Sequence, residues 1–173
     1  MREFVIRGGR VLDETGERFA DVAVRDGEIV AVGPDLSGGR VLDASGCVVA
    51  PGLVDLHTHL REPGKEEAET VESGSRAAAL GGYTAVLAMP NTTPAIDCAS
   101  VVRDVQQLAR AALCQVEVSG AITVGRAGER LAPYAEMAEP KMRAIVAEAI
   151  ARHGLCAAAA EHRVGPVALS EPS

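Results

Sequence analysis

Short apolar runs punctuated by glycine and Asp-Gly, rather than a helical stripe, open this chain. Residues 4–6 read as one strand; Gly8-Gly9 breaks it and residues 10–12 start the next. Residues 22–25, Asp26-Gly27 and residues 28–32 have the form of a hairpin, because Asp-Gly tolerates the positive φ that a tight type I′ turn requires. Residues 40–43 and 47–50 complete a small all-β unit over 1–50, too small to hold a large core alone. From Pro51 the rhythm changes. Residues 53–56 form a short apolar run, 66–80 a helix with an acidic first turn ending at Gly81-Gly82, and 84–89 a buried-type strand. Residues 100–114 read as a second helix led in by Asp97, and 116–123 as a further strand. Strands alternating with helices predict a parallel sheet, so 51–125 read as the opening of an α/β barrel or open α/β sheet. Residues 139–173 read as an α+β tail, with a helix over 140–153 and strands over 155–160 and 164–169.

Composition narrows the function classes. Of 173 residues, 47% are apolar but only 2% aromatic, which suits close helix-on-sheet packing by small side chains. A net charge of −7 with no basic stripe argues against nucleic-acid binding. No stretch approaches the roughly 18 apolar residues of a membrane span, and the N-terminus lacks a signal peptide's apolar core. Cys47, Cys98, Cys114 and Cys156 are scattered and form no C-x-x-C pair, so free thiols and a cytoplasmic setting are expected.

Chemistry concentrates at Asp55-Leu56-His57-Thr58-His59-Leu60-Arg61-Glu62-Pro63-Gly64. Alternate strand residues share a face, so His57 and His59 point the same way and are close enough to share a metal; imidazole nitrogen suits Zn²⁺. Arg61 has the same parity and can grip a carboxylate with two parallel N–H donors. A bare His-x-His is weak evidence. Here it ends an apolar strand in an α/β pattern, where barrels build their sites. Asn91, in the loop Met89-Pro90-Asn91-Thr92-Thr93-Pro94, offers a donor and an acceptor; on the motif alone an ordinary turn residue is the better reading. The Gly-rich stretch 118–129 fits neither a Walker loop nor a dinucleotide fingerprint.

Residues 1 to about 138 resemble a bacterial dihydroorotase of the cyclic-amidohydrolase type. The likeness is carried by the run from Val49 to Gly64, by Glu72-Ser73-Gly74-Ser75-Arg76-Ala77-Ala78, by Ala88-Met89-Pro90-Asn91-Thr92, and by Gly120-Ala121-Ile122-Thr123. The resemblance implies a small β-sandwich portion flanking a TIM-type barrel, whose opening it takes to run over 51–138. It makes His57 and His59 the first two zinc ligands, and gives Arg61 and Asn91 to the carboxylate of a small-molecule substrate. The implied reaction is the zinc-dependent, reversible hydrolysis of dihydroorotate to N-carbamoyl-aspartate in pyrimidine synthesis. A homo-oligomer or a partner from the same pathway is compatible with it. Allantoinases and hydantoinases share the His-x-His strand but usually differ at the Arg61 and Asn91 positions. A non-catalytic dihydroorotase-like partner is a further alternative, against which the retained histidines count.

The likeness stops near Met137. A bridging acidic ligand, two further zinc histidines and a catalytic aspartate are expected downstream and none can be assigned, so no general base is identified. The expectation is a truncated barrel, inactive and poorly soluble as an isolated chain. The stretch from Tyr134 to Ile145, with Gly154-Leu155-Cys156 and His162-Arg163-Val164-Gly165, is instead similar to an internal piece of the molybdopterin synthase large subunit. In that family a pair like His162-Arg163 lies near the pterin. The overlap at 134–138 suggests a chimera.

Overall fold

The computed structural model describes residues 3–138 and the two-residue strand at 169–170. The expectations for 140–168, His153, Cys156 and His162-Arg163 included, lie outside the described residues. The chain divides into two compact units, Met1–Pro51 and Gly52–Ser173.

The first unit is a single five-stranded mixed sheet. Strands β1 (Glu3–Asp13), β2 (Gly16–Arg25) and β3 (Glu28–Gly33) run antiparallel, while β4 (Arg40–Asp43) and β5 (Val48–Val49) both pair parallel with β1. Asp26 and Gly27 have φ of 50° and 89°, the double positive φ that the Asp-Gly signal predicts. Gly8-Gly9 does not end a strand. The ladder to β2 shifts register between Ile6 and Gly9, so the glycines form an irregularity inside one long strand. Strand β2 begins at Gly16, earlier than expected, because the polar run Glu17-Arg18 hides its pairing; Arg18 donates to both carboxylate oxygens of Asp13 at 2.9 and 2.8 Å. The buried cluster is small (Val11, Ala20, Val22), and Phe19 and Ile29 stay exposed.

In the second unit β6 (Leu53–Thr58), β7 (Tyr83–Ala88) and β8 (Gln115–Val118) form a parallel sheet in that order. Helix α1 (Val71–Leu80) connects β6 to β7, and α2 (Ala99–Ala109) connects β7 to β8. Val101, Val102 and Val105 form the apolar stripe of α2 and join Val86, Ala88, Val116 and Val118 of the sheet in one core. Beyond β8 come β9 (Gly120–Ala121), a short 3₁₀ turn (Val124–Arg126) and α3 (Tyr134–Met137), whose Met137 is fully buried. Tyr134 Oη donates to the carbonyl of Ile122. The strand Leu169–Ser170 (β10) pairs parallel with β9.

Both helix starts differ from expectation. The acidic residues Glu66, Glu67 and Glu69 precede α1 rather than opening it. Thr70 is the N-cap: its hydroxyl accepts from Ser73 N at 3.1 Å while Ser73 Oγ accepts from Thr70 N at 2.9 Å, a reciprocal capping box. Cys98, not Asp97, precedes α2, and Asp97 instead accepts from Gly125 N at 2.6 Å.

Candidate active site

The candidate site is built on the end of β6. Between Asp55↔Val86 and Thr58↔Ala88 the ladder carries one more residue on β6 than on β7. Such a bulge re-aims side chains where a strand ends. The N–H of His57 is satisfied locally by Asp55 Oδ1 at 2.9 Å. The rings of His57, within the bulge, and of His59, just past the end of β6, lie with centroids 5.1 Å apart and planes at 69°. With Zn–N bonds of about 2 Å, two imidazoles on one tetrahedral ion have centroids about 5 Å apart, so the pair fits half of such a site. His57 is exposed and His59 half-buried. Among the described residues no third His, Cys, Asp or Glu joins them as a metal donor. Thr58, between them, has a buried Oγ1 with no hydrogen-bond partner among the described residues.

Asn91 reaches this pair directly: its Oδ1 is 2.7 Å from His59 Nδ1. Arg61 follows His59 by two residues and sits at φ 63°, in the left-handed region. The N–H of Glu62 bonds to the carbonyl of Leu60 across it at 2.8 Å, so Arg61 is the corner of a tight three-residue turn. Among the described residues its half-buried side chain has no carboxylate partner.

The loop holding Arg61 is fixed from several sides. Glu62 Oε2 accepts from Val71 N at 2.7 Å, supplying a negative charge to the first turn of α1. Glu66 Oε1 accepts from Gly64 N at 2.8 Å, which holds that carboxyl below its ordinary pKa. The carbonyl of Pro63 accepts from Thr93 N at 3.0 Å, joining the Arg61 loop to the Asn91 loop. The Asn91 loop is tied down in turn, with Pro90 O accepting from Ile96 N at 3.1 Å and Thr92 Oγ1 donating to Pro94 O at 2.7 Å. Sequence reasoning singled out His57, His59, Arg61 and Asn91 but not the supports Glu62, Gly64 and Thr93. The Pro63-Gly64 pair was the available signal.

The first strand of this parallel α/β unit ends in paired imidazoles, and comparison with known proteins identifies the class to which it belongs. The family model described as dihydro-orotase-like matches residues 46–156. The chain is 52% identical over 138 residues to a dihydroorotase of Solibacter usitatus, covering 77% of this chain and 32% of that protein. It is 53% identical over 131 residues to a dihydroorotase of Mycobacterium tuberculosis, covering 73% and 30%. In structure it is similar to the L-hydantoinase of Arthrobacter aurescens (TM-score 0.64, 26% identity, 71% of this chain and 28% of that one). A D-hydantoinase from Bacillus sp. AR9 is also similar (TM-score 0.60, 32% identity, 69% and 27%). The chain belongs to the dihydroorotase-like family of cyclic amide hydrolases. It spans about a third of the length of the curated relatives it matches. Among the described residues, no helix is long and apolar enough to cross a membrane.

Proposed function

We propose that this chain carries the metal-binding and carboxylate-binding opening of a dihydroorotase, the enzyme that interconverts dihydroorotate and N-carbamoyl-aspartate in pyrimidine synthesis. The observation that carries the reading is the His57–His59 pair at 5.1 Å with Asn91 on its flank and Arg61 in the adjoining turn. His57 and His59 would hold zinc, which when bound activates water and polarises the scissile carbonyl. Arg61 supplies a planar two-donor grip for the substrate's carboxylate, and Asn91 adds an amide donor. Both sit on loops tied to each other, so the carboxylate is held at a fixed offset from the histidines; orientation of this kind is a large part of catalytic rate. A cytoplasmic setting, and association with further copies or with another enzyme of the pathway, belong to the same proposal.

Zinc titration of the chain against a chromophoric chelator tests the metal half. His57→Ala and His59→Ala should each weaken binding by at least tenfold. Turnover is tested with dihydroorotate beside a hydantoin and allantoin. Among the described residues no third His, Cys, Asp or Glu completes a metal site with this pair, so zinc binding without turnover is expected. Hydrolysis of hydantoin in preference to dihydroorotate would favour the hydantoinase reading, to which the solved neighbours lend support. Absence of zinc binding would favour a non-catalytic relative. A separate proposal, that 139–173 differ in origin from 51–138, has the family match to residue 156 against it and is tested by one unbroken read of the source locus. A frame running from Met137 into further barrel strands would overturn it.

A further inference from the structure

Asn91 meets His59 with the one atom of its amide that can only accept. Oδ1 lies 2.7 Å from ring Nδ1. A neutral imidazole carries a single ring proton, and an acceptor facing one nitrogen places the proton there. Nδ1 then donates, and Nε2 keeps its lone pair. His57 differs: its ring has no hydrogen bond among the described residues, and only its backbone N–H is held, by Asp55. The pair is therefore asymmetric, one ring hydrogen-bonded and the other held only by its edge contact with the first. Asn91 is itself fixed by the bonds of Pro90, Thr92 and Thr93 on either side, so the acceptor is in place before any ligand arrives.

We propose that Asn91 is a positioning residue for the metal site. Its Oδ1 fixes His59 as the Nδ1–H tautomer and presents the Nε2 lone pair to the ion, while its Nδ2 amino group stays available to the substrate's carboxylate. This rests on the zinc reading of His57 and His59. One rigid amide would thus hold the metal ligand and the substrate's charged end in a fixed relation, by two different atoms.

The test uses the full 173-residue chain, first without metal. With the histidines labelled with ¹⁵N, long-range ¹⁵N–¹H correlation at a pH where the rings are neutral reports the tautomer of His59. The wild type should show Nδ1–H. Asn91→Ala should shift His59 toward Nε2–H, and Asn91→Asp, which keeps an acceptor oxygen, should retain Nδ1–H. Zinc affinity should fall about 10–100-fold in Asn91→Ala, the usual cost of losing such an outer partner, and change much less in Asn91→Asp. An unchanged tautomer and unchanged zinc affinity in Asn91→Ala would overturn the inference. His57→Ala and His59→Ala keep the two readings apart. If they weaken zinc binding and Asn91→Ala does not, only the positioning role fails. If none of the three changes zinc binding, the zinc reading fails and the positioning role with it, whatever the tautomer shows.

Discussion

A Cβ placed on Gly64 would overlap the carbonyl oxygen of Thr93 and lie 2.7 Å from the Thr93 Cβ. Gly64 also has φ 100°, a conformation that L side chains rarely adopt. The two loops carrying Arg61 and Asn91 can be this close only because one of them has no side chain at the contact. Gly64→Ala should therefore destabilise the second unit by about 2–4 kcal/mol, combining overpacking with backbone strain. Urea unfolding checks it, and a loss under 0.5 kcal/mol would mean that the loops separate at little cost.

Arg61 stands at φ 63° without being glycine. An L residue in that region carries about 1–2 kcal/mol of local strain, and strain of this kind gathers at functional positions. Arg61→Gly and Arg61→Ala both remove the guanidinium, but only glycine relieves the backbone. The glycine variant should be the more stable of the two by about 1 kcal/mol in urea unfolding. Both should weaken N-carbamoyl-aspartate binding to a similar extent. Equal stability of the two variants would show that the turn is unstrained.

His57, His59 and Arg61 lie within five positions of one another, so sequence alone puts them near one strand end, but strand parity does not carry that far: β6 ends at Thr58, a bulge falls just before it, and Arg61 stands in a turn at φ 63°. Asn91 could not be placed that way. It lies 32 positions from His59, and the pairing of β6 with β7 brings the two loops together, a relation no local pattern carries. The family's own motif supplied what spacing could not. In the fold, β-sheet turns followed their chemistry closely, as at Asp26-Gly27. Helix starts did not. Three glutamates suited a helix N-terminus, yet Glu66 is engaged by Gly64 N and the backbone at 66–68 is turned rather than helical. Side chain-to-backbone bonds compete with the helix at such positions, and the geometry of one threonine three residues ahead of a serine decided the boundary.

That boundary gives a third prediction. Thr70 and Ser73 satisfy each other's backbone N–H groups at the start of α1, whose first residue, Val71, is fully buried. Thr70→Ala should cost about 1 kcal/mol, and Thr70→Ser only a few tenths. Because Glu62 Oε2 also binds Val71 N, the loosened helix start should show as faster amide exchange at Val71 as well as at Ser73. Unaltered exchange there in Thr70→Ala would show that Glu62 alone holds the helix start.

Glu117 gives the unit a pH dependence opposite to that of a paired surface carboxylate. It lies on β8, half-buried, and burial raises its carboxyl above the ordinary range; the 2.6 Å bond from Gln115 Nε2 offsets this only in part. Between the ordinary value and the raised one, the folded chain holds a proton that the unfolded chain has released. Stability contributed by this group is therefore lost as pH rises through that window, and the full cost of burying the charge persists above it. Glu117→Gln removes the titration and keeps an oxygen that can accept from Gln115. Relative to wild type it should gain stability across the window, keep a constant advantage at higher pH, and show none below the ordinary carboxylate value. Urea midpoints of both proteins over a pH series decide the matter. An advantage that grows as pH falls would mean that the Glu117 charge is stabilised where it lies.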